Sequence, residues 1–362
     1  MLLDIMEKVN WKDLLALNDS QNEAIMSAAR MAEESPDITR ALEADFELFV
    51  SQGTGKLQTP EETRLKLYGE AHYRLHTVLL LLMRLPWLIE QYQIHEIPER
   101  VLRDTLSDVK IWMNVCERKT GYPGLLEFGW LALHFSFKLF RLGRLQFEFQ
   151  PCAVPAYVYR HKASGAVMVL CPNDGMYYDN GDAVGVNGRT NEEAWKAVLR
   201  EEDGCAEGFP IHRSGYAVRA KVRLNLNEWE LALKPEDPVL NMHIAEGSPL
   251  NPEAVASSLA AAPGFFKKYL GISGIKALTC FSWLMDDNIG QLQPNGNIAS
   301  FQRNFYLIPH ERSSDWQTRQ RVFGDPDIDI LQAECCTSLQ KAIAAWYAAG
   351  RYCRHAAGFI LL

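Results

Sequence analysis

The chain has 362 residues, of which 48% are hydrophobic and 23% are charged. This composition is ordinary for a globular protein, and the length exceeds that of one typical core, so we expect two domains. The net charge of -8 argues against a nucleic-acid-binding protein, because phosphate contacts need clustered Lys and Arg. The longest apolar run, Val78 to Met83, is far shorter than the roughly 20 residues that span a bilayer. We therefore expect neither a nucleic-acid partner nor a membrane partner.

The eight cysteines point to a reducing compartment. They show no CxxC spacing, and the neighbours Cys335 and Cys336 have a geometry that rarely permits a mutual disulfide. The first residues carry acidic side chains at once and lack the basic and apolar segments of a secretory signal. These features predict a cytoplasmic protein with reduced thiols.

Residues 1–124 show helical periodicity and predict a helical N-terminal domain. The segment Asn18-Asp-Ser20 stands where it can cap a second helix, and Thr59 precedes a proline and two glutamates, which is typical of a helix start. We expect prolines near the helix ends, at positions 36, 60, 86 and 98. The segment from Gly121 to Gly124 predicts a hinge, so the boundary between the domains is placed after residue 124.

The second domain, residues 125–362, begins with an apolar and aromatic stretch, Leu125 to Phe140, that predicts a buried helix. The period then changes to two, which predicts strands. Alternating strand patterns follow at residues 145–149, 157–160 and 167–170, with a hairpin turn at 162–165. Similar alternation from Tyr216 to His243 predicts further strands separated by polar turns.

Helices and strands then alternate toward the C-terminus. Asn251 opens a predicted helix that Pro263 and Gly264 interrupt, and Ala277 to Leu284 predicts a strand. A short helix near 297–301, a strand at 305–308, a helix at 337–349 and an apolar run at 358–362 follow. The predicted fold class is mixed α/β (α+β): a helical N-terminal domain, then a mixed β-sheet domain with flanking helices.

This order of elements resembles the GNAT superfamily. Three segments are similar to a bacterial acyltransferase family that joins a helical N-terminal domain to a GNAT-like C-terminal domain. They are FRLGRLQFE at 140–148, MHIAEGSPLNPEA at 242–254 and CFSWL at 280–284. Residues 322–324 and 337–341 are similar as well. The resemblance implies an acyl-CoA-dependent acyltransferase with acetyl-CoA or another acyl-CoA as co-substrate.

The resemblance further implies that acyl-CoA lies between two splayed strands, residues 239–245 and 277–284. Backbone groups exposed where parallel strands separate can pair with pantetheine amides, and the next helix N-terminus attracts pyrophosphate. The implied cofactor-binding residues are Ile244, Ala245, Gly247, Ser248 and Asn251. The segment departs from the usual phosphate loop of Arg or Gln, two residues, then Gly-x-Gly or Gly-x-Ala. It has one glycine and two prolines, and proline has no N–H to donate.

Acyl transfer to an amine needs a base for the nucleophile, N–H donors for the carbonyl oxygen and an acid for the departing thiolate. The candidate bases are His243 and Glu246, and the candidate acids or donors are Cys280 and Ser282. Each has a structural alternative. His243 alternates with apolar residues, as a hydrogen-bonded core histidine would, Cys280 can be a small core residue, and Glu246 can close a turn.

The first functional hypothesis is an N-acyltransferase, most simply an acetyltransferase, that acts on a small amine. A non-enzymatic binding module with a GNAT-like fold is an alternative, which the atypical phosphate loop favours. A hydrolase is a weaker alternative, because the sequence has no GxSxG motif. No metal centre is predicted, since His72 and His76 stand one helical turn apart without an evident third ligand. No oligomeric state is predicted.

Overall fold

The computed structural model describes residues 2–188, 190, 193–311 and 313–362. The chain divides into two compact units, which we call the helical unit and the sheet unit. The helical unit comprises Met1–Glu148, Ile244–Ser248 and Gly264–Gly271. The sheet unit comprises Phe149–His243, Pro249–Pro263 and Ile272–Leu362. The predicted boundary after residue 124 stays a prediction.

The helices of the N-terminal third begin and end largely at the predicted signals. Asn18 caps α3 through a capping box with Gln21, and Pro36 is the first residue of α4. Pro60 caps α5, one position later than predicted. The helices are α1 (Leu2–Lys8), α2 (Trp11–Leu15), α3 (Asp19–Glu34), α4 (Pro36–Gln52), α5 (Glu61–Tyr68), α6 (His76–Ile94), α7 (Glu99–Thr120) and α8 (Phe128–Phe135).

Two proline predictions are wrong because helices continue through the residue. Pro86 lies inside α6 rather than at its end. Pro263 lies inside α9 (Pro252–Leu270), so this helix is not interrupted there. Proline removes one backbone hydrogen bond, yet packing along both sides of it keeps the helix continuous. In α9 that packing includes Phe265 and Phe266, whose ring centroids lie 5.3 and 5.7 Å from the Phe140 ring.

The buried helix predicted from Leu125 to Phe140 is shorter than expected. It ends at Phe135, and Phe137 adopts a left-handed φ of 59°, which a helix cannot contain. Two strands follow, β1 (Leu139–Leu142) and β2 (Leu145–Pro151), which form an antiparallel hairpin from Leu142↔Leu145 to Leu139↔Glu148. The aromatic residues at the end of the predicted helix therefore belong to a turn and a strand.

The sheet unit contains several small antiparallel groups before its main sheet. The order within them is β12-β3-β4, β11-β8-β7, β10-β9 and β5-β6. Their bounds are β3 (Tyr157–His161), β4 (Val167–Leu170), β5 (Met176–Tyr177), β6 (Trp195–Lys196), β7 (Arg200–Glu202), β8 (Cys205–Gly208), β9 (Ile211–His212), β10 (Tyr216–Ala217), β11 (Val222–Asn225) and β12 (Trp229–Leu233). The strands predicted at 157–160 and 167–170 are confirmed.

The main sheet of this unit has the order β13-β14-β16-β15. Strand β13 runs parallel to β14, whereas β16 is antiparallel to both β14 and β15. Buried residues on these strands, including Val239, Ala277 and Phe359, share one core cluster with Val158 and Val169. The strands are β13 (Pro238–Ile244), β14 (Ala277–Ser282), β15 (Tyr306–Ile308) and β16 (Ala356–Leu361).

The predicted alternation of helices and strands after residue 237 is confirmed. In chain order the elements are β13, α9, β14, α10 (Asp287–Leu292), α11 (Asn297–Gln302), β15, α12 (Trp316–Thr318), α13 (Ser338–Ala348) and β16. Thr337 caps α13 through a second capping box. Within the described residues, no helix combines the length and apolarity needed to cross a bilayer.

Candidate active site

Strands β13 and β14 are paired at their start and extend beyond the paired part. The parallel register joins Val239–Asn241 to Ala277–Thr279. Each strand then continues, to Ile244 in β13 and to Ser282 in β14. Over this continuation β14 remains paired with β16. The register therefore supports the predicted separation of the two parallel strands after Asn241 and Thr279.

His243 lies on the part of β13 beyond this paired stretch. Its side chain is partly exposed, and its Nε2 lies 3.1 Å from Nδ2 of Asn241. Thr279 in turn donates a hydrogen bond of 3.4 Å from Oγ1 to Oδ1 of Asn241. Asn241 is 6% exposed and Thr279 is fully buried. The predicted base His243 thus lies within hydrogen-bonding distance of a buried polar pair, Asn241 and Thr279, that the sequence analysis did not identify.

Cys280 and Ser282 lie on β14, and both have clear structural surroundings. Cys280 is 1% exposed, and burial raises the pKa of its thiol to about 12. Ser282 is 8% exposed, and its hydroxyl accepts a hydrogen bond of 3.1 Å from the backbone N–H of Leu284. That bond caps a 3-10 turn at Trp283–Met285, which ends the strand two residues before the predicted Leu284.

Residues 244–248 belong to the helical unit, where a buried arginine holds them. Arg144, 8% exposed, donates from Nη1 to the carbonyl oxygen of Ala245 at 2.9 Å and from Nη2 to that of Ser248 at 2.5 Å. Gly247 has a φ of 99°, which glycine adopts without strain. Two carbonyls therefore face the guanidinium, and this fixes the path of the loop.

Glu246 is exposed on the same loop. Its carboxylate lies 3.7 Å from Nη2 of Arg118, and both side chains are largely open to solvent. An exposed pair of this kind contributes little to stability, yet it places a cation beside the glutamate. The negative charge of Glu246 is thus partly offset at the loop where pyrophosphate is predicted.

Asn251 caps α9 in the sheet unit. Its Oδ1 accepts from the backbone N–H of Glu253 at 2.9 Å and of Ala254 at 3.2 Å. Pro252, the first helical residue, has no N–H to give. The N–H of Val255 bonds to the carbonyl of Asn251 at 2.9 Å. An anion at this helix end is still attracted by the helix dipole, but the first-turn donors are already engaged.

One of the two histidines considered as metal ligands, His76, has buried structural partners. His76 is buried, with Nε2 at 2.8 Å from Asp45 and Nδ1 at 3.1 Å from the hydroxyl of Tyr68. Across the part of the chain that the structure describes, no group of three or more His, Cys, Asp or Glu is arranged to hold a metal ion.

Two family descriptions match nearly the whole chain. Residues 10–137 match the N-acyltransferase N-terminal domain, and residues 139–360 match the GNAT-like C-terminal domain. The chain belongs to this acyltransferase family. The resemblance seen in the sequence is confirmed, and so are the helical N-terminal part and the GNAT-like sheet that follows it. No curated protein sequence is significantly similar to this acyltransferase.

Solved structures share its fold at low sequence identity. An acyltransferase in complex with decanoyl-CoA superimposes with a TM-score of 0.63 and 22% identity, covering 98% of this chain and 86% of that one. An acyltransferase with CoA and 10C-teicoplanin gives 0.65 and 20%, covering 98% and 87%. A mutant acyltransferase with octanoyl-CoA gives 0.64 and 20%, with the same coverage. The ligands named here are those bound by these other acyltransferases.

Sequence reasoning missed three residues of this region, although each carries a signal. Arg144 follows Gly143 in the turn of the β1–β2 hairpin, inside a segment already similar to the family. Asn241 stands two residues before His243, so both side chains share one face of β13. Thr279 is a polar residue between the buried apolar residues Leu278 and Cys280. A buried polar side chain needs a partner, and this requirement is what points to Asn241 and Thr279.

Proposed function

We propose that this acyltransferase moves an acyl group from acyl-CoA to the amino group of a small molecule. The observation that carries the proposal is the parallel β13–β14 pair, whose register ends at Asn241 and Thr279 while both strands continue. Backbone donors and acceptors exposed by such a separation suit the two amides of pantetheine. The same stretch carries His243, whose imidazole is a common general base in catalysis.

In the proposed reaction the amine nitrogen attacks the thioester carbonyl and forms a C–N bond. His243 accepts the proton that the nitrogen loses, the C–S bond breaks, and CoA leaves as a thiolate that is then protonated. Glu246 is the second candidate base, but it lies on an exposed loop beside Arg118. Cys280 and Ser282 are weaker candidates for the acid, since one is a buried thiol and the other caps a turn.

The ligands of the structural neighbours suggest which acyl donors and acceptors to assay. Structural neighbours hold octanoyl-CoA or decanoyl-CoA, and one is described with decanoyl-CoA and teicoplanin. We therefore propose medium-chain acyl-CoA beside acetyl-CoA as donors. The acceptor panel contains alkylamines, amino sugars and teicoplanin. The eight free thiols support a cytoplasmic location, where thiols stay reduced.

The first test is thermal unfolding with millimolar acetyl-, octanoyl- or decanoyl-CoA, free CoA, or ADP as a control for polyanion binding. A ligand that binds only the native state raises the melting temperature. We expect a rise with at least one acyl-CoA that exceeds the rise with ADP. No rise with any CoA compound would contradict the proposal.

The second test is turnover, measured as free CoA and acylated amine by mass spectrometry. Thiol reagents are unsuitable, because Cys336 is exposed. His243→Gln should lower kcat by about 10²–10⁴-fold, the usual contribution of a general base, with little change in acyl-CoA binding. The matched control is His212→Gln, an exposed histidine of the sheet unit, which should leave kcat unchanged. Acyl-CoA binding without transfer to any amine would instead favour a binding module.

A further inference from the structure

The proposed acyl transfer removes two protons from an aliphatic amine, and His243 accounts for one of them. At neutral pH such an amine is an ammonium ion, because its pKa is close to the value of about 10.4 for a lysine side chain. An ammonium nitrogen has no lone pair and cannot attack a thioester. It loses one proton before the attack and a second as the C–N bond forms. His243 takes the second, so the first needs an acceptor of its own.

The side chain of His310 contacts the face of the main sheet that carries His243. Asn241 and Thr279 are register partners whose side chains share a hydrogen bond, so both point to one face. His243 and Phe281 are each two residues further along their strands and therefore lie on the same face. The ring of His310, which follows β15, lies 6.0 Å from the Phe281 ring. A second imidazole thus stands near the end where β13 and β14 are no longer paired.

The hydrogen bond of His310 decides which of its ring nitrogens can take a proton. Nδ1 lies 2.7 Å from the carbonyl oxygen of Glu311. A carbonyl oxygen only accepts, so Nδ1 carries the hydrogen and the lone pair of the neutral ring is on Nε2. The described part of the chain supplies no hydrogen bond to this Nε2. Because the side chain is partly exposed, a proton taken up at Nε2 can pass on to water.

The titratable groups beside His310 do not compete with it for the proton. Burial lowers the pKa of His355 to about 4, and the neighbouring His310 contributes to the lowering, so His355 stays neutral near neutral pH. The carboxylate of Glu311 accepts from a backbone N–H, and that of Asp315 is paired with an arginine and a tyrosine. Nε2 of His355 is buried and has no hydrogen-bond partner among the described residues, as expected of an atom whose partner is a ligand or water.

We propose that Nε2 of His310 removes the surplus proton of an aliphatic ammonium acceptor, so that the amine reaches His243 and the thioester with a free lone pair. The proposal rests on the proposed function. One N–H bond of the ammonium breaks, and its proton moves to Nε2 and then to solvent. The neutral nitrogen forms the C–N bond and loses its next proton to His243. The C–S bond breaks with its electron pair on sulfur, and the thiolate takes the proton from His243. Each transfer thus releases one proton to solvent.

The first test compares two acceptors of similar size and different charge, with decanoyl-CoA as donor. One is the alkylamine that the wild type acylates fastest, and the other is the same amine fluorinated at the neighbouring carbon, such as ethylamine and trifluoroethylamine. The fluorines withdraw electrons, so the second amine is largely unprotonated at neutral pH. His310→Gln keeps an N–H for the Glu311 carbonyl but has no basic nitrogen. We expect it to lower kcat/KM about 10²-fold for the alkylamine and less than about threefold for the fluorinated amine.

The matched control is His212→Gln, which should change kcat/KM for neither acceptor. Equal losses with both acceptors in His310→Gln would assign His310 a structural part. An unchanged kcat/KM for the alkylamine would show that the enzyme takes the rare free amine from solution. Either result would overturn the proposal while the wild type still transfers acyl groups. No transfer by the wild type to any amine would instead refute the proposed function, and this role with it.

The second test needs no turnover. Nitrogen NMR of histidine-labelled protein distinguishes the protonated ring nitrogen from the unprotonated one, and His310→Gln assigns the signal by removing it. We expect neutral His310 to carry its hydrogen on Nδ1. A hydrogen on Nε2 would overturn the proposal even if transfer is observed, because the lone pair would then be on the nitrogen that faces the Glu311 carbonyl.

Discussion

Replacing Arg144 by methionine tests how residues 245–248 are held in the helical unit. The change keeps most of the aliphatic stem and removes the guanidinium, which donates to the carbonyl oxygens of Ala245 and Ser248. The two carbonyls differ in whether water can replace the hydrogen bond that is lost. Ala245 is 5% exposed, so its carbonyl cannot turn to water, whereas Ser248 is exposed and its carbonyl can.

The expected cost follows from that difference. A hydrogen bond to a charged group contributes about 1.5–3 kcal/mol, and a buried acceptor left without its donor loses this in full. Water replaces most of the bond to Ser248, and methionine avoids burying a guanidinium. We therefore expect a net loss of about 1.5–3 kcal/mol, near the contribution of the Ala245 bond alone.

Calorimetric unfolding measures this loss directly. At roughly 2–4 °C per kcal/mol for a unit of this size, Arg144→Met should melt roughly 3–12 °C below the wild type. Arg118→Met is the matched control, because Arg118 contacts the same loop through an exposed pair with Glu246. It should shift the melting temperature by less than roughly 2 °C. Equal shifts for the two variants would refute the idea that Arg144 holds the loop.

Two further predictions concern buried groups. Burial favours a neutral Asp45, but hydrogen bonds from His76, Thr59 and Gln58 outweigh it and keep the pKa of Asp45 below its usual value, while burial lowers the pKa of His76. Below the ordinary His pKa of 6.5 the unfolded chain takes up a proton on His76 more readily than the folded chain does, so the melting temperature should fall from pH 7 to pH 4. The contribution of Asp45 is present above its ordinary pKa of 3.8 and is lost only below that pH. Asp45→Asn combined with His76→Gln should flatten the slope between pH 7 and pH 4, as calorimetry across this range will show, and an unchanged slope would contradict this reasoning. Cys280→Ala should keep kcat within about twofold, because Cys280 lies in the core opposite Gly358 and burial raises the pKa of its thiol to about 12. A tenfold loss of kcat at an unchanged melting temperature would instead assign the thiol a direct role.

Local sequence signals predicted the elements well where one chemical feature decides the structure. The capping boxes at Asn18 and Thr337 begin helices because their side chains bond the third backbone N–H, an effect that needs only neighbouring residues. Predictions failed where packing decides. Pro86 and Pro263 are ordinarily helix-breaking residues, yet both lie inside helices. The aromatic run to Phe140 looked uniformly helical, although a single left-handed residue, Phe137, ends the helix.

The sequence predicted a candidate site but not the contacts that surround it in the structure. His243 and the loop after it were proposed because a family-like segment contains them. Arg144 lies about a hundred positions earlier in the chain, and nothing in local periodicity links it to the carbonyls of Ala245 and Ser248. Asn241 and Thr279 likewise meet through the register of two strands separated by a long helix. Such pairings depend on topology, which spacing along the chain does not contain.

The hydrogen bonds from Arg144 to the loop suggest how this acyltransferase could hold a pyrophosphate without the usual glycines. A glycine-rich loop binds phosphate because its backbone N–H groups converge on the anion. Such convergence requires the carbonyls to point elsewhere and to be satisfied there. Arg144 satisfies two of them, at Ala245 and Ser248, and the positive φ of Gly247 turns the chain between them. Fixing the carbonyls on a buried cation is a different way to set the direction of the intervening N–H groups. If the loop binds pyrophosphate in this manner, Arg144→Met should reduce the decanoyl-CoA-induced rise in melting temperature more than Arg118→Met does, beyond their separate effects on stability.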